Sequence, residues 1–265
     1  MVQSARVVSE RFSTNERLKD AGILYVFQVF QPAQLRQKIR RQPQTIDSAV
    51  TYGGIRMFFF FTNPILIAAA IIPAIFLLVH VYRADKLEKE PAPLLISLVL
   101  YGIAATFIAL VLERLGSWIL GQYFEENSTI YNAIMYFGVV AFSEEGAKYF
   151  LLRRRTWNSA AFNCQFDGVV YAAFVSLGFA LWENISYVLM YGFTTAIVRA
   201  LTAVPGHACF GVFMGVWYGL AKRLHGQGRD GASKLCRVLA LLLPAFLHGC
   251  YDFIASIESV HYGWL

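Results

Sequence analysis

Four short segments of this chain place acid–base residue types where a spanning helix should not hold them. They are Ser143-Glu144-Glu145-Gly146-Ala147-Lys148, Trp182-Glu183-Asn184, Pro205-Gly206-His207, and His248 through Asp252. Each lies in a long apolar block, where a charged side chain costs at least ~2.5–3.5 kcal/mol on insertion scales and marks a function. Glu144 and Lys148 are four residues apart and can pair on one helical face. Glu145 points about 100° away and is left without a partner in its own helix. Such a carboxyl suits a general base. His248 and Asp252 are also four apart, so the carboxylate can orient the imidazole and fix its tautomer. The bland readings are an ordinary Glu–Lys pair, an interfacial Glu183, a satisfied core His207 and a structural His248–Asp252 bond. Cys209 and Cys250 each follow a histidine by two positions, on roughly the opposite helical side, which argues against a local His/Cys metal site.

The elements that must position these groups are spanning helices. Apolar blocks longer than ~18 residues recur along the chain, the length that crosses hydrocarbon. They predict six spans: Met57–Tyr82, Leu94–Leu120, Thr129–Leu152, Val169–Tyr191, Thr195–Ala221 and Leu235–Ser256. Pro73 is expected to bend the first span rather than end it. The fold class is therefore an all-α, polytopic membrane bundle. Residues 1–55 form a polar amino-terminal tail, with an apolar stretch at Ala21–Phe30 short enough to lie in the interface. Residues 56–265 form the transmembrane catalytic bundle. Gly211, Gly215 and Gly219 recur every fourth residue, as do Gly168, Ala172, Ser176 and Ala180. Small residues at that spacing let helix backbones approach closely in lipid. Both faces are expected to point inward, carrying His207 (four before Gly211) and Glu183 (seven after Ser176) with them.

Composition bounds the function. Of 265 residues, 57% are hydrophobic and 15% charged, against about 25% charged in soluble domains. A net charge of +6 records topology rather than nucleic-acid binding, since no basic stripe alternates with aromatics. The basic loops at Arg153–Arg155 and Lys222–Arg237 are expected in the cytoplasm. The loop with Glu125 and Glu126 is expected opposite, which would put both termini outside. Residues 1–19 lack the apolar core of a cleavable signal peptide.

In this order, the four segments resemble the PrsW family of intramembrane proteases, related to type II CAAX prenyl endopeptidases and bacteriocin self-immunity proteins. The likeness rests on the Glu-Glu-x-x-Lys of Glu144, Glu145 and Lys148, and on Phe166-Asp167-Gly168 running to Gly178-Phe179-Ala180 and Glu183-Asn184. It continues in the His207 segment with its glycines, in His248 to Asp252, and in the run from Tyr82 to Pro91. The resemblance implies hydrolysis of a peptide bond in a membrane-anchored substrate of the anti-sigma-factor kind. It implies a multi-pass protein of the cell membrane whose partners are that substrate and the bilayer. It carries catalytic roles onto Glu144, Glu145, Glu183, His207 and His248, with Lys148, Asn184 and Asp252 in support.

In the mechanism the residues suggest, Glu145 takes a proton from water, Glu183 shares or relays it, and His248 or His207 donates to the oxyanion. Lys148 keeps Glu144 ionised. A metal-free reaction is the expectation, because three carboxylates without helix-paired histidines make an unusual zinc set. The alternative is zinc held by Glu145, His207 and His248 with one position open. Two other classes stay open: a proton-coupled transporter, and a non-catalytic scaffold or immunity protein.

Overall fold

The computed structural model describes residues 63–86, 88–126 and 128–262, and every regular element among them is helical. The expected tail 1–55 and the start of the first span lie outside the described residues. Helix α1 (Pro64–Ala84) starts where the sequence provides a cap: Asn63 accepts hydrogen bonds from the Ile65 and Leu66 N–H groups at 3.0 and 3.4 Å. It passes through Pro73 unbroken, as expected. Helix α2 (Ala92–Leu120) begins directly after Pro91.

The third predicted span is one helical run of unequal parts. Helix α3 (Thr129–Ala133) is capped by Ser128, a π-helical stretch covers Ile134–Val140, and α4 (Ala141–Thr156) carries the Glu-Glu-x-x-Lys segment. The wide turns of a π stretch shift the register of the helix beyond it, and such stretches are frequent beside functional sites. Helix α5 (Gln165–Tyr191) ends at Gly192, whose φ of +84° a side chain would resist.

The fifth predicted span is divided into α6 (Phe193–Leu201) and α7 (Ala203–Gly226), with a break at Thr202. Pro205 explains the break. A continuous helix would need its missing N–H to pair with Leu201, so the chain restarts with Pro205 in a first turn. Helix α8 (Asp230–Tyr262) completes the bundle. Five helical segments are long and apolar enough to cross a membrane: α1, α2, α5, α6–α7 together and α8. The α3–α4 run supplies the sixth predicted block, but as an interrupted helix rich in charge. The chain is an integral, multi-pass membrane protein.

Helix α5 is the centre, packed on α7, α2 and α1. The two small-residue faces read from the sequence meet each other. A Cβ on Gly219 would lie 2.0 Å from the Gln165 carbonyl oxygen, one on Gly215 would lie 2.4 Å from Val169 Cα, and one on Gly211 would lie 2.8 Å from Ser176. A second seam, unread in the sequence, joins α2 to α5. There Cβ atoms on Gly102 and Gly178 would strike the carbonyl oxygens of Val175 and Val99 at 2.1 and 2.3 Å. Backbones this close fix the heights of α2, α5 and α7 relative to one another, and so the heights of the side chains they carry. Large apolar side chains such as Ile65, Phe76, Ile96, Val111 and Trp118 stay exposed, as lipid contact requires.

Candidate active site

Glu144, Glu145, His207 and His248 come from three helices and converge. One ligand atom from each lies within 4.8 Å of those of the others, and all four residues are buried. The first half of α4 places Glu144, Glu145 and Lys148 on its inner side because Ser143, Gly146 and Ala147 stand between and beside them.

Lys148 is fully buried and joins more of the site than its spacing implied. Its Nζ donates to Glu145 Oε1 at 2.7 Å and to Glu144 Oε2 at 3.2 Å, and it lies 3.2 Å from His207 Nδ1. The expectation of a Glu144–Lys148 pair with Glu145 left alone is thus corrected. Residues three apart are also neighbours on a helix, and an ammonium has three donors to distribute.

Each imidazole has a carboxylate beside its Nε2. His207 Nε2 lies 2.8 Å from Glu183 Oε2, while its Nδ1 faces the cluster. His248 Nε2 lies 3.4 Å from Asp252 Oδ2, and its Nδ1 lies 3.0 Å from Glu145 Oε1. Glu183 can hold the Nε2–H of His207 and leave its Nδ1 lone pair to accept from Lys148, whereas His248 donates its Nδ1–H to Glu145 and has Asp252 beside Nε2 at ion-pair distance. The rings meet edge to face, 5.2 Å between centroids, and Phe210 stacks on His248 at 4.8 Å. Glu145 Oε2 is buried with no hydrogen-bond partner among the described residues.

Two contributors escaped the sequence reading. Arg199 of α6 donates from Nη2 to Glu183 Oε2 at 2.8 Å and from Nε to Asn184 Oδ1 at 3.2 Å, with its guanidinium over Tyr187 at 4.0 Å. Asn184 in turn donates to the Ala70 carbonyl of α1 at 2.8 Å. Arg199 could have been noticed as an isolated cation within the fifth apolar block. Glu113 of α2 lies within electrostatic reach of Glu144, Glu183, Asp252 and His248. Its signal was the adjacent pair Glu113-Arg114 inside an otherwise uncharged helix.

Buried carboxylates and imidazoles gathered from separate helices correspond to the segments that carry the family likeness. Residues 90–264 match the family model described as PrsW family intramembrane metalloprotease. The chain is 35% identical to Protease PrsW of Bacillus subtilis over 196 residues, covering 73% of this chain and 84% of that protein. It is 35% identical to Protease PrsW of Geobacillus kaustophilus over 189 residues, 71% and 79% of the two chains. The Clostridioides difficile Protease PrsW is 31% identical over 204 residues, 75% and 81%. This chain belongs to the PrsW family. As a member it is an intramembrane protease, acting on a protein substrate from within a lipid bilayer. No solved structure matches the chain.

The PrsW description implies a metal, and the residues present fit one. Imidazole and carboxylate are zinc's donor types. One ring nitrogen of each histidine and one carboxylate oxygen of each glutamate lie within 4.8 Å of one another, Glu145 Oε2 has no other partner among the described residues, and Glu183 and Asp252 stand behind the two rings. Lys148 Nζ shares that cluster and would have to withdraw from His207.

Proposed function

We propose that the chain cleaves a membrane-anchored protein, of the anti-sigma-factor kind that the family likeness implies, in the cell membrane. In this reading His207, His248 and Glu145 hold a zinc ion, which when bound would supply Lewis-acid polarisation of the scissile carbonyl. The observation that carries it is the gathering of two imidazoles and two carboxylates, all buried, with ligand atoms within 4.8 Å of one another and one Glu145 oxygen without a partner among the described residues.

Glu144 then becomes the general base. Its carboxylate sits beside the cluster, hydrogen-bonded to Lys148 at 3.2 Å and with His248 Nε2 at 3.9 Å. It takes a proton from water as the water oxygen adds to the carbonyl carbon, and returns that proton to the amide nitrogen as the C–N bond breaks. Lys148 limits the charge that builds up between the two glutamates. Glu183 and Asp252 act through the histidines, holding ring orientation and tautomer. Arg199 and Asn184 fix Glu183 in turn. Burial keeps bulk water from competing.

A metal-free reading has one observation in its favour. Lys148 Nζ already lies within 3.2 Å of three of the four converging residues, so an ammonium can supply the positive charge. The test separates the two. Metal content and cleavage of a membrane-anchored substrate are measured on the purified chain in detergent. Glu144→Gln should retain zinc and lose cleavage by several orders of magnitude. Glu145→Gln and His207→Ala should lose both. Full cleavage after exhaustive chelation would overturn the zinc reading in favour of the carboxylate–ammonium site. Full cleavage by Glu144→Gln and Glu145→Gln, separately and together, would overturn both.

A further inference from the structure

At the basic end of the bundle, a second group of polar side chains gathers donors without an acid to receive them. Arg153 lies in the last turn of α4, four residues beyond Tyr149, and Arg237 lies in the second turn of α8. Tyr149, Arg153 and Trp157 follow one another at four-residue spacing along one side of α4 and its C-terminal cap, and the Tyr149 and Trp157 rings both meet Tyr218 of α7, with both guanidiniums within electrostatic reach of the two hydroxyls. The Tyr149 and Tyr218 rings meet edge to face at 6.0 Å. Tyr218 donates or accepts at Thr156 Oγ1, 2.8 Å away, but the Tyr149 hydroxyl has no hydrogen bond among the described residues.

Arg237 is the unusual member. Its guanidinium lies 5.2 Å from the centre of the Trp157 ring, and its Nε is buried without a hydrogen-bond partner among the described residues. Lys222 reaches the same ring at 5.6 Å, while its Nζ donates to the Trp157 carbonyl at 2.6 Å. Two cations thus share one indole. Asp230, the acid that opens α8, is turned to His225 at 2.7 Å. Neither Arg153 nor Arg237 has an ion pair among the described residues.

A buried guanidinium donor left unsatisfied is costly. A topology signal alone accounts for the exposed Arg153 and Arg154, but not for the buried Nε of Arg237. Guanidinium forks match phosphate oxygens in geometry and charge. Basic pockets between spanning helices at the cytoplasmic boundary suit phospholipid headgroups. We infer that Arg153, Arg237 and the Tyr149 hydroxyl form a phosphate-binding site, filled by the headgroup of an anionic phospholipid. Its position is at the α4 end opposite the π stretch. A headgroup there would tie α8, which carries His248, to α4, which carries the two glutamates.

The experiment measures thermal unfolding of the full chain in phosphate-free maltoside micelles at constant ionic strength. One arm adds phosphatidylglycerol and the other adds inorganic phosphate. Native mass spectrometry of the same samples reports retained lipid. Phosphatidylglycerol should raise the unfolding midpoint of the wild type to a saturating value and should appear as a bound adduct. Arg237→Gln and Arg153→Gln should lose both effects, and Arg154→Gln should keep them. If Arg237→Gln does not fold, Arg237→Lys and Tyr149→Phe serve instead, each with a smaller midpoint shift than the wild type. A midpoint shift from inorganic phosphate with none from the lipid would overturn the headgroup assignment. Equal lipid-induced shifts in the wild type and all these variants would overturn the site.

Discussion

Glu144, Glu145 and Glu183 lie inside the bundle against cations, while Asp85, Glu90 and Asp167 gather at its basic end with no ion pair among the described residues. Lys148 binds the first two inner glutamates and Arg199 binds the third, all at 2.7 to 3.2 Å. The outer group is buried too, yet its neutralisation is by hydrogen bonds. Asp167 Oδ2 accepts from the Asn163 and Cys164 N–H groups at 3.0 and 2.7 Å, capping α5. The Tyr171 hydroxyl lies 2.5 Å from Glu90 Oε2 and 3.0 Å from the Ala161 carbonyl. That hydroxyl has one proton, so both contacts are satisfied at once only when Glu90 carries a proton itself. Lys89, the nearby cation, spends its ammonium on the Tyr82 and Asp85 carbonyls. The difference lies in the partner: inside, fixed cations meet the carboxylates, and outside, backbone and tyrosine hydrogen bonds do.

Removing the inner cation should do the most damage. Lys148→Met leaves two buried carboxylates with His248 as their one remaining partner of opposite charge among the described residues, a loss of about 3–5 kcal/mol, read as a large fall in the thermal midpoint of metal-free protein. A midpoint unchanged by Lys148→Met would mean that the two regions are not held differently.

Arg199 offers a middle-sized test. Arg199→Gln should reduce cleavage by about 10–100-fold, the usual consequence of losing a group that orients a metal-ligating histidine. Zinc affinity should fall in parallel, with Arg199→Lys between the two because it keeps charge but not the two-pronged contact. Wild-type zinc affinity in Arg199→Gln would confine Arg199 to packing.

The smallest effect belongs to Glu90. Burial pushes its carboxyl up to about 7, with Asp167 and Asp85 adding to the shift and the Tyr171 hydrogen bond opposing it. A folded value above the unfolded one means stabilisation that is complete at acidic pH and lost as pH rises through about 7. Glu90→Gln should therefore flatten the decline in thermal midpoint between about pH 5 and 8 without changing activity at the inner site. An identical decline in Glu90→Gln would place the titrating group elsewhere.

The inner faces were legible in the sequence because a helical period orders them. Glycines every fourth residue in α7 and small residues every fourth in α5 predicted a close approach, and the two faces meet. His207 and His248 were legible for the same reason, each being aligned with a face or with an acid one turn away. What spacing did not supply was the third dimension. Lys148 reaches His207 on α7, 59 residues away in the chain, and that length of reach is invisible to a helical wheel. Arg199 was hidden by the assumption of one unbroken fifth span. Only the break at Thr202 turns α6 so that its arginine meets Glu183. The π stretch was equally silent, since Ile134–Val140 reads as ordinary apolar sequence.

The α5–α7 seam has a consequence for how this family's alignments are interpreted. At Gly168, Gly215 and Gly219 even one added methyl group would run into backbone atoms at 2.0 to 2.9 Å. No rotamer change relieves such a collision, so alanine itself is excluded there unless two helices part. Evolution and mutational scans should therefore treat these glycines as severely as Glu145 or His248. Intolerance to substitution should thus have two separate origins in this fold, chemistry at the site and the distance of closest approach between two helix backbones.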